Sequence, residues 1–161
     1  MSSRFAPLLL VVATAFAGCD SAHDDDHKHE EESPEAEACE HLTQGPASVA
    51  TASTDSDLAP DISKSHTRHD LTLAGDADKK GGYVKFIAAK SGDYVVVMNA
   101  DVPAQVVDAQ GNALTPKSEA TLQAGCAAIK RKAVYTLGVA TYRLKLGPTS
   151  LTSVGALFEA L

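Results

Sequence analysis

The chain has no tryptophan, and only four tyrosines and four phenylalanines among 161 residues. A surface that stacks bases or aromatic-bound sugars needs several exposed aromatic faces, so no nucleic-acid partner is expected. The spacings of the common catalytic motifs are missing too: there is no Gly-x-Ser-x-Gly elbow, no His-Glu-x-x-His pair and no glycine-rich phosphate loop. Ser63-Lys64-Ser65-His66 and Asp70 are residue types that hydrolases use. Without such a frame they read more simply as a polar lead-in to a strand, and no enzyme is expected. The one apolar run near the N-terminus is too short to cross a bilayer comfortably as a mature helix.

Basic residues are scarce in one half of the chain only. Residues 20–62 hold Lys28 against thirteen acids, a net of −12, whereas residues 63–161 hold twelve Lys and Arg against eight acids, a net of +4. The formal charge of −7 therefore belongs to the first segment. From Asp20 to Glu40 there is almost no large apolar side chain to offset the entropy of ordering, so a disordered acidic tether is expected. Residues 43–60, rich in Ser, Thr, Ala, Gly and Pro, continue it as a linker.

Beyond residue 66 the pattern becomes short alternating runs separated by turn residues. Strands are expected at His69–Ala74, Gly82–Ala89, Asp93–Met98, Ala104–Asp108, Ala120–Ala124, Ala133–Leu137, Thr141–Leu146 and Val154–Glu159. In Tyr142-Arg143-Leu144-Lys145-Leu146 the alternation gives a sheet with one wet face. Tyr94-Val95-Val96-Val97-Met98 is apolar throughout and is the expected central strand, while Lys130-Arg131-Lys132 reads as a loop or a polar strand start. No amphipathic helix competes. The fold class that follows is all-β, an antiparallel β-sandwich of about eight strands. Tyr94 and Tyr142 each open a strand and are each followed twelve residues later by a valine of another, Val106 and Val154, a weak internal echo.

Three stretches carry resemblances. Phe16-Ala17-Gly18-Cys19, which closes the apolar run that follows Arg4, resembles the lipobox of bacterial lipoproteins. The resemblance implies cleavage before Cys19, acylation of its thiol, anchorage in the lipid bilayer and a place in the bacterial cell envelope, on the inner or the outer membrane. The alternative is an ordinary signal peptide cut near Ala17, leaving Cys19 a free thiol. Residues 1–18 are then a signal peptide, 19–62 the tether and linker, and 63–161 the domain. Gly92-Asp93-Tyr94 leading to Val106-Val107-Asp108-Ala109-Gln110-Gly111-Asn112 resembles the pre-peptidase C-terminal type of β-sandwich. That likeness implies an accessory, non-catalytic module on a secreted protein.

If Cys19 is acylated, Cys39 and Cys126 remain as an even pair in a compartment that permits disulfides. Pairing would staple the linker to the strand region. The competing use of Cys39 is as a metal ligand with His41, His66 and His69. A separate ligand set is denser: His23, Asp24, Asp25, Asp26, His27 and His29, with Glu30-Glu31-Glu32 behind them, place three imidazoles and six carboxylates within ten residues. Such a tract binds divalent metals such as zinc, copper or nickel, with modest affinity because a disordered chain offers overlapping ligand sets without a fixed scaffold; it resembles the His/Asp loops of periplasmic zinc-binding proteins, and a solvated anionic spacer is the alternative. Two functions are carried forward. One is a non-catalytic anchored lipoprotein whose tether chelates metal and whose sandwich meets an unknown envelope partner or serves the envelope structurally. The other is a dedicated envelope metal-binding protein with a folded Cys/His site.

Overall fold

The computed structural model describes residues 33–161 except residue 124. Cys19 and the tract His23, Asp24, Asp25, Asp26, His27 and His29 lie outside the described residues. The described chain runs α1 (Pro34–Gln44), β1 (Ala47–Thr51), β2 (Arg68–Thr72), β3 (Lys80–Ala88), β4 (Gly92–Met98), β5 (Ala104–Val107), β6 (Ser118–Gln123), β7 (Cys126–Leu137), β8 (Ala140–Thr149) and β9 (Ser153–Ala160). Two sheets form, one ordered β1-β2-β9-β4-β7-β6 and one ordered β3-β8-β5. The expected all-β sandwich is the observed fold, and each of the eight expected strands has a counterpart among β2 to β9.

Alternation explains how the sheets face each other. Val84 and Phe86 of β3, Tyr142, Leu144 and Leu146 of β8, and Tyr94, Val96 and Met98 of β4 point into one shared core, joined by Val154, Ala156 and Phe158 of β9. At its centre the Phe86 and Phe158 rings lie 3.8 Å apart, and Tyr94 stacks on Phe158 at 5.0 Å.

The echo seen in the sequence has a structural counterpart. The Tyr94 hydroxyl donates to the Lys90 carbonyl at 2.9 Å and the Tyr142 hydroxyl to the Gly138 carbonyl at 3.2 Å, each four residues upstream. Around these tyrosines the order β3-β8-β5 repeats as β7-β4-β9, with β4 and β8 exchanging roles as the middle strand. Each half of the repeat pairs with the other half and not with itself.

Part of the stretch expected as tether and linker carries regular structure among the described residues, where α1 and β1 both precede residue 62. Ser33 caps α1 by accepting from the Ala36 N–H at 3.3 Å, Pro34 occupies the first turn, Glu35 and Glu37 sit near the positive end of the helix dipole, and the Gly45 N–H closes the other end. Ala38 and Leu42, four apart, are buried on the outer face of the larger sheet against Val95, Val97, Ile129, Val134 and Leu157. Acids on the solvent side of the helix hid this two-residue apolar stripe in the sequence. β1 then pairs parallel with β2, a strand too poor in large apolar residues to register by alternation. The following segment bridges to β3 at Ser53↔Tyr83 and Asp61↔Lys85 and buries Ala52, Ala59 and Ile62. Lys130-Arg131-Lys132 lies inside β7, and Lys80-Gly81-Gly82 forms a bulged start of β3.

Candidate metal centre

The structure joins Cys39 of α1 to Cys126 of β7 as a disulfide with Cα atoms 6.0 Å apart. That use of Cys39 removes it from the Cys39, His41, His66, His69 ligand set. His69 drops out as well. It is buried on β2, its Nδ1 is 2.7 Å from the Ser48 hydroxyl of β1, its Nε2 faces the Lys64 carbonyl at 3.5 Å, and burial pushes its pKa below the ordinary imidazole value. A neutral imidazole sharing hydrogen bonds across two strands is a structural element of the β1–β2 edge.

The other two members do meet. His41 and Glu37 are four residues apart on α1, so their side chains lie one above the other on the same flank of the helix. His66 sits on the turn before β2 with φ +51, in the left-handed region, and the turn is pinned by the Thr67 hydroxyl donating to the Ser65 carbonyl at 3.0 Å. Left-handed backbone at a non-glycine residue is uncommon and costs energy; here it turns the imidazole toward α1. Glu37, His41 and His66 form a group whose ligand atoms all lie within 4.8 Å of one another.

A fourth group closes the cluster. Glu159 is the lone acid of the apolar strand β9, only 7% exposed, and its Oε1 is 2.6 Å from His41 Nδ1 and 3.4 Å from His66 Nδ1. It points outward beside Leu157, and His41 covers it. A carboxylate so buried needs partners, and these two imidazoles supply them. His66 Nδ1 is also 3.3 Å from His41 Nδ1 and 3.5 Å from Glu37 Oε1. An ion bound tetrahedrally through bonds of about 2.0–2.1 Å separates its ligand atoms by about 3.3–3.4 Å. The three distances from His66 match that spacing. Of the remaining pairs, His41 and Glu159 are hydrogen-bonded and would open by roughly 0.7 Å on the same geometry, Glu37 and His41 lie within 4.8 Å, and Glu159 falls outside the group in which every pair shares that limit.

The surroundings fix the cluster unevenly. Arg68 of β2 donates to the Leu42 carbonyl at 3.2 Å, and Lys132 of β7 pairs with Glu35, so both ends of α1 are tied to the larger sheet. The Lys132 bond holds the Glu35 carboxyl below its ordinary pKa. A side chain at Gly45 would bring its Cβ to 2.5 Å from the His41 carbonyl, so only glycine lets the chain leave the helix that close to the ligand residue. Half-buried His41 and buried Glu159, at 19% and 7% exposure, form a floor under a rim of His66 and Glu37 at 61% and 46%.

Glu37 and Glu159 are not among the ligands expected from the sequence. For Glu37 the signal was its spacing to His41, legible only once Ser33-Pro34 is taken as a helix start. For Glu159 it was a single acid closing the run Val154 to Phe158. No protein-family model matches the chain, and no curated protein matches it.

Proposed function

We propose that this protein is a non-catalytic, lipid-anchored component of the bacterial cell envelope that holds a divalent transition ion, zinc or copper, at Glu37, His41, His66 and Glu159. One observation carries the metal assignment: His66 Nδ1 stands 3.3, 3.5 and 3.4 Å from donor atoms of His41, Glu37 and Glu159. Two imidazoles with two carboxylates suit zinc and copper. The folded site is of His/Glu type and replaces the Cys/His set considered from sequence. Anchorage through acylated Cys19 rests on the lipobox resemblance, and the tract from His23 to His29 serves as a weak collector of the same ions. Its contact with the envelope is the bilayer and a partner of unassigned chemistry.

Calorimetric titration of the full chain with zinc and with copper tests this. A tight site that survives deletion of residues 20–32 and is lost in His41→Ala and Glu159→Gln is the expected result. Binding that disappears with the deletion and ignores both substitutions would assign all metal to the tether and leave the sandwich a structural domain.

A further inference from the structure

Helix α1 is gripped on two flanks. Ala38 and Leu42 form its underside; Cys39 is bonded to β7 on one side, while Glu37 and His41 face His66 and Glu159 on the other. Residues 39 and 41 are about 200° apart around a helix axis, so the covalent bond and the ligand cluster hold opposite sides of the same turn. A helix of eleven residues is marginal in water without tertiary support. Apart from the disulfide, that support consists of two buried apolar side chains, of which Ala38 is small, the Lys132–Glu35 pair, the Arg68 bond to the Leu42 carbonyl and the cluster itself. Beyond the short chain from Gln44 into β1, the disulfide is the one covalent tie that keeps Glu37 and His41 within reach of His66 and Glu159.

We propose that the Cys39–Cys126 disulfide gates the metal site, so that its reduction releases the ion. The inference rests on the metal-holding function proposed above. The reductant is a dithiol: it transfers two electrons and two protons, the S–S bond breaks, two protein thiols form, and the dithiol closes to a cyclic disulfide. Once the tie is cut, α1 is docked for only a fraction of the time, and apparent affinity falls by that fraction. With α1 away, two of the four donors remain, His66 and Glu159. The new thiols do not replace the lost pair, because Cys39 lies on the flank away from the cluster and Cys126 is buried beside Val95, Val97 and Ile129. Linkage makes the effect reciprocal: a bound ion holds α1 down and makes the disulfide harder to reduce by the same factor.

The test uses the full chain with His23→Ala, His27→Ala and His29→Ala, so that the tract does not compete, and zinc alone as the probe. Zinc affinity is measured by competition with a chromophoric chelator for the oxidised protein and for Cys39→Ser/Cys126→Ser, with amide exchange in β4 reporting whether the sandwich is intact. At least about tenfold weaker binding in the serine variant is expected, together with faster exchange over residues 34–44. A second measurement needs no cysteine variant: the dithiol midpoint for reducing the disulfide is titrated at two buffered free-zinc levels and is expected to shift by the same factor. If the serine variant does not fold, this titration alone decides. Equal zinc affinity with and without the disulfide, or a midpoint indifferent to zinc, overturns the gate while leaving the metal site standing. An oxidised protein that binds no zinc overturns the proposed metal site, and the gate falls with it.

Discussion

The two middle strands of the repeat, β4 and β8, share a topology and a tyrosine tie but differ on their outer faces. β8 turns Arg143 and Lys145 outward, and Arg143 is engaged by the Ser56 carbonyl and Asp57. β4 turns Val95 and Val97 outward, and α1 covers them. The unbroken apolar run of β4 is therefore the imprint of a second layer, whereas the alternation of β8 marks a sheet face with no helix over it. The smaller sheet also buries an outward-facing group, Val107 opposite Arg143, but the apolar cluster of outward side chains lies under α1, and the His/Glu cluster stands where that cover ends, at Glu159.

Substitutions of matched strand position test this contrast. The largest effect is expected from Val97→Lys, which would bury a charge under α1 and cost about 3–4 kcal/mol in urea denaturation. Lys145→Val at the exposed counterpart is expected to stay within about 0.5 kcal/mol; comparable losses at both positions would end the distinction. Next comes Leu42→Ala, removing the larger of the two side chains that α1 buries. A loss of about 2–3 kcal/mol is expected, with amide exchange rising over residues 34–44 before it rises in β3 or β8. The smallest effect concerns acid. Burial holds the His69 pKa down, so the folded protein resists a proton that the unfolded chain accepts at the ordinary value of about 6.5. Stability contributed by neutral His69 is complete above that pH and falls as pH drops through the lowered folded pKa. Denaturation series between pH 7.5 and roughly 5 should show a shallower slope in His69→Gln, and a slope unchanged from wild type would remove the assignment.

The strands were legible because alternation and turn residues are local signals. β4 was even picked out as central, and it does lie inside the larger sheet between β9 and β7. α1 was not legible, because its apolar content is Ala36, Ala38, Leu42 and a cysteine set among Glu35, Glu37 and Glu40, and the charge run outweighed the Ser33-Pro34 start and Gly45 stop. The site was half visible. His41 and His66 were named as ligands, but they were grouped with Cys39 and His69 by residue type. Their actual partners include Glu159, 118 residues from His41. No spacing rule reaches across that distance; only the packing of α1 onto β9 creates the pair.

The crossed pairing of the repeat also dictates a schedule for folding. β3, β4 and β5 find sheet neighbours only in β7, β8 and β9, so a chain growing from its N-terminus has no sheet to complete until its last third exists. Long-range pairing of this kind makes folding slow and leaves apolar strands open to aggregation meanwhile. Cys39 likewise waits for Cys126. The molecule is assembled late and all at once, and a chain shortened by its final strand would lose the partner of β2 and β4 together with Glu159.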